Sequence, residues 1–311
     1  MSWFDLSKIG KMQLEISNYC NAECPGCDRD YIKKLKEDNL NNSFITLDLV
    51  KKTFFKGKWN SLDEIYFCGN VDEPTTNPQL IDIIKYFKTI TDNKLRTVIS
   101  SNGGTRTEKF WTELGNLSKN ENVVVVFAID GLEDTNHLYR KNVKWKKVKS
   151  NWRKFIQAGG IAHWQYIPFP WNTHQIEKAE KISKDEGFKV FFTKKNYHIK
   201  ERVNFNYSGR IDDSGKVGNF KTPKCKALPG NGKGEFHDIH GNLYISSQGY
   251  VYPCCWYGTK QDTESLWKNS KIDKKYHNIN FYSLDEILKG PIFKWIECNM
   301  VTQKVCNKKC K

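Results

Sequence analysis

Met12-Gln-Leu-Glu-Ile-Ser17 runs through Asn18-Tyr19 into Cys20-Asn-Ala-Glu-Cys24-Pro-Gly-Cys27. A strand-length segment with apolar residues at Met12, Leu14 and Ile16 is followed at once by three thiols within eight residues. In α/β proteins the loops at the carboxyl ends of parallel strands gather the chemistry, so a cysteine loop directly after a first strand marks the mouth of a parallel barrel. Thiolate sulfur is a soft ligand suited to iron-sulfur clusters and to zinc. Three ligands with no obvious fourth nearby leave one iron of a cubane open for another molecule. Zinc at the same loop requires a fourth ligand, such as Cys68 or a histidine.

Outward from that loop, short apolar runs alternate with amphipathic stretches to about Lys194, the pattern of βα units around a parallel sheet. The expected strands are Met12–Ser17, Glu64–Cys68, Leu95–Ser100, Val123–Ile129, Ala162–Ile167 and Lys189–Thr193. The expected helices are Leu47–Phe55, Gln79–Ile90, Thr107–Leu117, Trp145–Ala158 and His174–Glu186. Thr46 and Thr173 are candidate N-caps, and Gly159-Gly160 and Gly187 candidate stops. A barrel unit over 1–194 thus precedes a polar connector, 195–224, and a smaller unit over 225–311. In the last unit, Glu235–Ser246 and Tyr250–Tyr252 flank Ser247-Gln248-Gly249 as a β-hairpin, and Ser283-Leu-Asp-Glu286 has the form of a capping box. The sequence contains no internal repeat of the solenoid kind.

The totals constrain function. The 311-residue chain opens without the basic and apolar segments of a signal peptide, and no apolar run approaches the roughly 20 residues of a spanning helix. A soluble, cytoplasmic protein is expected, without membrane partners. Ten cysteines in a reducing compartment point to metal ligation or catalysis rather than disulfides. Beyond the first three, Cys68 stands alone, and Cys225, Cys254, Cys255, Cys298, Cys306 and Cys310 crowd the C-terminal unit. The formal charge of +15 invites nucleic acid, but only seven of the 50 basic residues are arginine, the side chain favoured for bidentate phosphate and base contacts.

The spacing Cys20-x3-Cys24-x2-Cys27 resembles the signature of the radical S-adenosylmethionine (radical SAM) superfamily. In that family the open iron is chelated by the amino and carboxylate groups of SAM, and one electron splits a carbon–sulfur bond to give a 5′-deoxyadenosyl radical. Many members have an aromatic residue before the third cysteine, where this chain has Gly26. Phe67-Cys68-Gly69-Asn70-Val71-Asp72-Glu73-Pro74 is similar to the family's Gly-Gly-Glu-Pro region, which implies that Gly69, Asp72 and Glu73 meet the amino end of SAM. Taken alone, Glu73 also fits the lesser alternative of a turn carboxylate before a helix. Ser100-Ser101-Asn102-Gly103 resembles the family's Thr-Asn-Gly turn, with Ser101 and Asn102 placed for ribose or carboxylate contacts; an isolated Asn-Gly is usually only a turn. Ala128-Ile129-Asp130-Gly131, with Tyr139-Arg140 downstream, resembles the Ser-Ile-Asp-Gly and arginine of the maturase-like branch, implying cofactor contacts for Asp130 and a charge-assisted pair between Arg140 and the SAM carboxylate.

The C-terminal cysteines resemble the auxiliary-cluster extension called Twitch, or its larger relative SPASM. The resemblance implies Cys225, Cys254, Cys306 and Cys310 as ligands of one auxiliary iron-sulfur cluster of 4Fe–4S type, with Cys298 able to replace one of the last two. Zinc on the same four thiolates is the alternative. Cys255 stands where sulfatase-maturing relatives carry an acid, which makes it a candidate catalytic hydrogen donor, against the commoner inert buried thiol. The aromatic run Trp164–Trp171 either lines a pocket or belongs to the core.

The expected fold is α/β: a partial (β/α)6 TIM-type barrel with a small C-terminal α+β iron-sulfur domain. The expected activity is radical SAM chemistry on a peptide or small metabolite. Its cofactors are a SAM-binding 4Fe–4S cluster, SAM and an auxiliary cluster in electron transfer, with an external one-electron donor such as flavodoxin or ferredoxin. The rival readings are a radical SAM RNA-modifying enzyme, for which the charge speaks, and a zinc-stapled binding protein without catalysis.

Overall fold

In the computed structural model, residues 5–29, 43–92, 94–194, 241–258, 266 and 268–299 are described. The connector 195–224, the first residues of the expected hairpin, and Cys225, Cys306 and Cys310 lie outside them. Strands β1 Ile9–Leu14, β2 Glu64–Phe67, β3 Arg96–Ser101, β4 Val123–Ala128, β5 Ile161–Tyr166 and β6 Val190–Thr193 pair in parallel, each with its neighbour in sequence. Helices α1 Leu47–Thr53, α2 Leu80–Ile90, α3 Glu108–Glu121, α4 Trp145–Gln157 and α5 Ile176–Asp185 alternate with them. This is the expected partial barrel. All six residues of β4, Val-Val-Val-Val-Phe-Ala, are buried, as a central parallel strand covered on both faces requires.

The two faces of the sheet are packed differently, and this places the chemistry. On the helical side large rings interlock: Trp152 lies 5.5 Å from Trp164, and Trp111 5.2 Å from Phe127. The inner face carries a separate, smaller cluster of Val98, Val124 and Val126 with Tyr66, Ile161 and Phe192. Register accounts for much of it, since Tyr66, Val98, Val124 and Ile161 occupy one row across β2 to β5. At the amino ends of the strands Glu64 accepts from Lys11 at 3.6 Å and from Arg96, an ion-paired row across β1, β2 and β3. The opposite end is left for loops.

Boundaries differ from expectation where the backbone finds another partner. β1 begins at Ile9 and ends at Leu14, three residues before Ser17, because the following backbone pairs elsewhere: Ile16 O accepts from Ile45 N, and Asn18 N donates to Ser43 O. Thr46 caps α1 as predicted, its hydroxyl accepting from Leu49 N. Thr173 does not cap a helix; it lies inside a short 3-10 turn and its hydroxyl donates to Phe169 O at 2.7 Å. Helix α3 runs on to Glu121 and stops at Asn122, which takes the left-handed conformation with φ 48°.

The larger difference concerns the C-terminal unit. Its hairpin, β7 Gly241–Ile245 and β8 Val251–Tyr252, is antiparallel as expected, but β7 also pairs in parallel with β1, Met12 opposite Leu243 and Leu14 opposite Ile245. Among the described residues the sheet therefore has eight strands in the order β6-β5-β4-β3-β2-β1-β7-β8. The hairpin extends the barrel's own sheet. Beyond it, Ser283 and Glu286 form the predicted capping box at the start of α6 Leu284–Leu288, and α7 Pro291–Asn299 follows.

Trp152 is fully buried against Trp145, Trp164 and Phe188. Trp152→Ala should lower the unfolding free energy by about 3–5 kcal/mol. Urea denaturation of both proteins measures it, and a loss below about 1 kcal/mol would mean that the ring cluster is not a packed core.

Candidate functional site

The cysteine loop is shaped by its own sequence. Pro25 and Gly26 form the centre of a turn in which Cys27 N donates to Cys24 O at 3.2 Å, and Gly26 takes the positive φ, 78°, of the third position of a type II turn. Here glycine is needed by the backbone, which accounts for the missing aromatic residue before Cys27. Buried Arg29 closes the loop by donating to the carbonyls of Asn18 and Val71. Cys24 is buried, and Cys20 and Cys27 are partly so.

Loops from the next three strand ends meet these thiols. Asn70 O, after β2, is 4.0 Å from Cys27 Sγ; Asn102 Nδ2, after β3, is 3.7 Å from Cys20 Sγ; Arg140 Nη1, after β4, is 3.7 Å from Cys24 Sγ. Ala22 N adds a donor 3.4 Å from Cys20 Sγ. Burial pushes all three thiols up, Cys27 to about 11, while Arg140 pulls Cys24 back toward the thiolate. Amide and guanidinium donors aimed at sulfur favour an anion there, which metal ligation supplies.

The predicted cofactor residues divide into two kinds. Glu73 is 2% exposed and saturated: Oε2 accepts from Asn102 N at 2.6 Å, and Oε1 from the hydroxyl and amide of Thr75 at 2.7 and 3.3 Å. Its carboxylate therefore ties the loop after β2 to that after β3. Ser101 is turned inward too, accepting from Gly103 N at 3.0 Å. Asp130 is fully buried, accepting from Ile167 N at 2.7 Å and Arg140 Nε at 2.6 Å. It aims Arg140 at Cys24. Asn102 and Arg140 are thus the predicted residues that touch the cysteine loop directly, while Glu73, Ser101 and Asp130 hold them in place. Asp72 accepts from Gly69 N at 2.7 Å, closing the bend after β2.

Glu15 was missed by the sequence reading. It is 2% exposed, with Oε1 accepting from Val71 N at 2.8 Å and Oε2 from Tyr244 OH at 3.0 Å and Ser247 N at 3.3 Å. A β-carbon on Gly69 would lie 1.8 Å from Oε1, so glycine is needed for this close approach. Burial raises the pKa of both Glu15 and Asp72, and for Asp72 the nearby Glu15 adds to it, so this carboxyl pair favours a proton over a second negative charge. Glu15 occupies a polar position of the alternating Met12–Ser17 segment, so nothing local in the sequence marks it as buried.

Of the C-terminal candidates, Cys254 and Cys255 lie partly buried in the turn after β8, and Cys255 O accepts from Asn70 Nδ2 at 3.2 Å. Cys298 is exposed on α7. Cys68 is held near Ser100 and Gln13, its pKa raised by burial to about 12. Trp164 and Tyr166 belong to the core, donating to Ile129 O and Asn172 O. Phe169 stacks on Trp171 at 4.7 Å and leans on Tyr139, next to Arg140, at 4.6 Å.

Residues 14–191 match the family model described as the radical SAM superfamily, which spans more than half of the chain. The chain belongs to the radical SAM superfamily. Residues 238–311 match SPASM, an iron-sulfur cluster-binding domain, which decides between the two names suggested by the C-terminal cysteines. This radical SAM protein shares its fold with Streptococcus suis SuiB bound to the precursor peptide SuiA (TM-score 0.54, 13% identity, 93% of this chain and 67% of that chain). It also shares it with anSMEcpe bound to AdoMet and Kp18Cys peptide (TM-score 0.53, 15% identity, 96% and 99% covered). Against another crystal structure of Streptococcus suis SuiB, TM-score 0.50 and 15% identity, the match covers 82% of this chain and 62% of that chain. No curated protein matches it by sequence. Membership counts against the reading as a zinc-stapled binding protein.

The donor set fits the family's cluster. Three thiols of one loop, faced by an amide and a guanidinium donor that stabilise thiolate, are the soft, anionic ligands an iron-sulfur cluster takes. No helix among the described residues is long and apolar enough to cross a membrane.

In metal-free protein the raised thiol pKa values set the reactivity, because the thiolate fraction grows about tenfold per pH unit below the pKa. Iodoacetamide labelling of Cys20, Cys24 and Cys27 should climb steadily from pH 7 to 9, read residue by residue by mass spectrometry. Arg140→Met should slow Cys24 severalfold and leave Cys20 within about twofold. Labelling that levels off by pH 8 would contradict the burial of these thiols.

Proposed function

We propose that this chain is a peptide-modifying radical SAM enzyme in which Cys20, Cys24 and Cys27 ligate the SAM-binding 4Fe–4S cluster. Cys225, Cys254, Cys306 and Cys310, with Cys298 as the alternative to either of the last two, would hold an auxiliary cluster of 4Fe–4S type. One observation carries the reading: the loops after β2, β3 and β4 converge on the three thiols of the loop after β1, with acceptor, amide and guanidinium groups facing sulfur. The peptide class is supported by the SPASM match and by a fold held in common, over 96% of this chain, with a peptide-bound anSMEcpe.

When bound, cluster and SAM together supply reductive cleavage to a 5′-deoxyadenosyl radical that can take a hydrogen atom from a substrate. The chain's own residues orient and enclose. Asn70 O beside Cys27 is an acceptor for the SAM ammonium, and Gly69 brings that backbone close. Glu73 acts by fixing this loop to Asn102, because its oxygens are already occupied. Arg140, gripped by Asp130, puts a fixed cation beside Cys24 for the SAM carboxylate, and Asn102 offers its amide to the same region. Cys255 is the candidate hydrogen donor on the C-terminal side. An external one-electron donor such as flavodoxin or ferredoxin is required, and a protein of net charge +15 suits an acidic one.

Anaerobically reconstituted protein should hold about eight irons per chain, falling to about four in a Cys20/Cys24/Cys27→Ala variant that no longer yields 5′-deoxyadenosine from SAM and dithionite. Addition of peptide pools should raise 5′-deoxyadenosine above the uncoupled rate. Stimulation by bulk tRNA instead, lost at higher salt, would turn the substrate class to RNA.

A further inference from the structure

The loop proposed above to receive the amino end of SAM is held by the barrel, through Tyr19, Arg29 and Asn102, and in part from the C-terminal unit. Glu15 stands one residue past β1, its own N–H donating to Ile245 O of β7 at 2.9 Å, so it lies on the seam between barrel and hairpin. One carboxyl oxygen takes Val71 N of the SAM loop; the other takes Tyr244 OH and Ser247 N of the hairpin. Asn70 makes the same crossing by its side chain, 3.4 Å from Tyr244 OH and 3.2 Å from Cys255 O, while its carbonyl faces Cys27 Sγ at 4.0 Å. Asn70 therefore touches both cysteine-bearing loops. These partners are 174 to 232 positions apart in sequence.

We propose that Glu15, Asn70 and Tyr244 form a latch through which the C-terminal hairpin sets the SAM loop, so that SAM affinity at the first cluster depends on the C-terminal unit. The inference rests on the reading of residues 69–73 as the SAM loop. Glu15, Tyr244 and the Asn70 side chain act by positioning, through the Asn70 backbone that faces Cys27. With Tyr244 OH removed, Glu15 Oε2 loses one of its donors and Asn70 loses a side-chain contact; with the Asn70 amide removed, the SAM loop loses its tie to Cys255. Buried hydrogen bonds to a carboxylate are among the stronger kind, and leaving such an acceptor underserved moves the groups around it. The barrel could then still fold and load its cluster, with the acceptor beside Cys27 no longer fixed.

The test uses full-length, anaerobically reconstituted wild type, Tyr244→Phe, Asn70→Ala and Glu15→Gln. Ser283→Ala serves as a control that weakens the C-terminal unit at its capping box. Equilibrium dialysis gives the SAM Kd, and the electron paramagnetic resonance spectrum of the reduced protein is recorded with and without SAM. Tyr244→Phe and Asn70→Ala should raise the SAM Kd at least tenfold and shrink the SAM-induced spectral change, with iron content and the SAM-free spectrum as in wild type. Ser283→Ala should bind SAM as wild type does. Affinities of Tyr244→Phe and Asn70→Ala within twofold of wild type overturn the latch, as does an equal loss in Ser283→Ala, which would mark general destabilisation. If Glu15→Gln fails to fold, the other two variants still decide. A wild type with a normal cluster that binds no SAM would instead overturn the reading of the loop itself.

Discussion

Both edges of β1 are hydrogen-bonded, one to β2 and the other to β7. The position of the cysteine loop follows from where that double pairing ends. At Leu14 the strand stops, the next backbone turns to the 43–45 segment, and within six residues the first thiol appears. Since β2, β3 and β4 are registered in turn from β1, their terminal loops arrive at the same end, each bringing one group to one sulfur. A slip of one residue in β1 would exchange its two faces and carry Glu15 out of the seam.

The electrostatic character of the site follows from this crowding. Buried thiols resist ionisation, and the chain answers with donors that reward it: Arg140 at Cys24, Asn102 and Ala22 N at Cys20. Arg140 would be a costly buried cation alone, and Asp130 offsets it at 2.6 Å. The pair leaves the guanidinium fixed rather than searching, which is what binding a charged ligand at a defined angle requires.

Much of this was legible in the sequence, for a physical reason. Period-two alternation and continuous apolar runs reported all six barrel strands, and Thr46, Gly159 and Gly187 marked three helix ends, because those signals act over a few residues. Gly159 and Gly187 follow α4 and α5 with φ of 93° and 89°. Thr173 misled because a hydroxyl before a helical pattern looks the same whether it caps a helix or bonds back to Phe169. The order of motifs along the chain singled out the cysteines, Asn102 and Arg140, side chains that lie near one another in the structure. It did not separate residues that touch the loop from residues such as Glu73 and Asp130 that hold their neighbours, since the distinction depends on which oxygens are already taken. Pairing of β1 with β7 and the burial of Glu15 left no local trace, because both depend on partners more than 200 residues away.

That distance also orders the events of synthesis. When β1 and its cysteine loop emerge, β2 follows after some fifty residues, but β7 is not made until residue 241. At about 5–20 residues per second, the β7 side of β1 stays open for roughly ten to fifty seconds. An unpaired strand edge over that interval invites pairing with a wrong chain, and the three thiols beside it lack one wall. Metal delivered to the nascent chain would meet an unfinished vessel; metal delivered after release would meet a closed one.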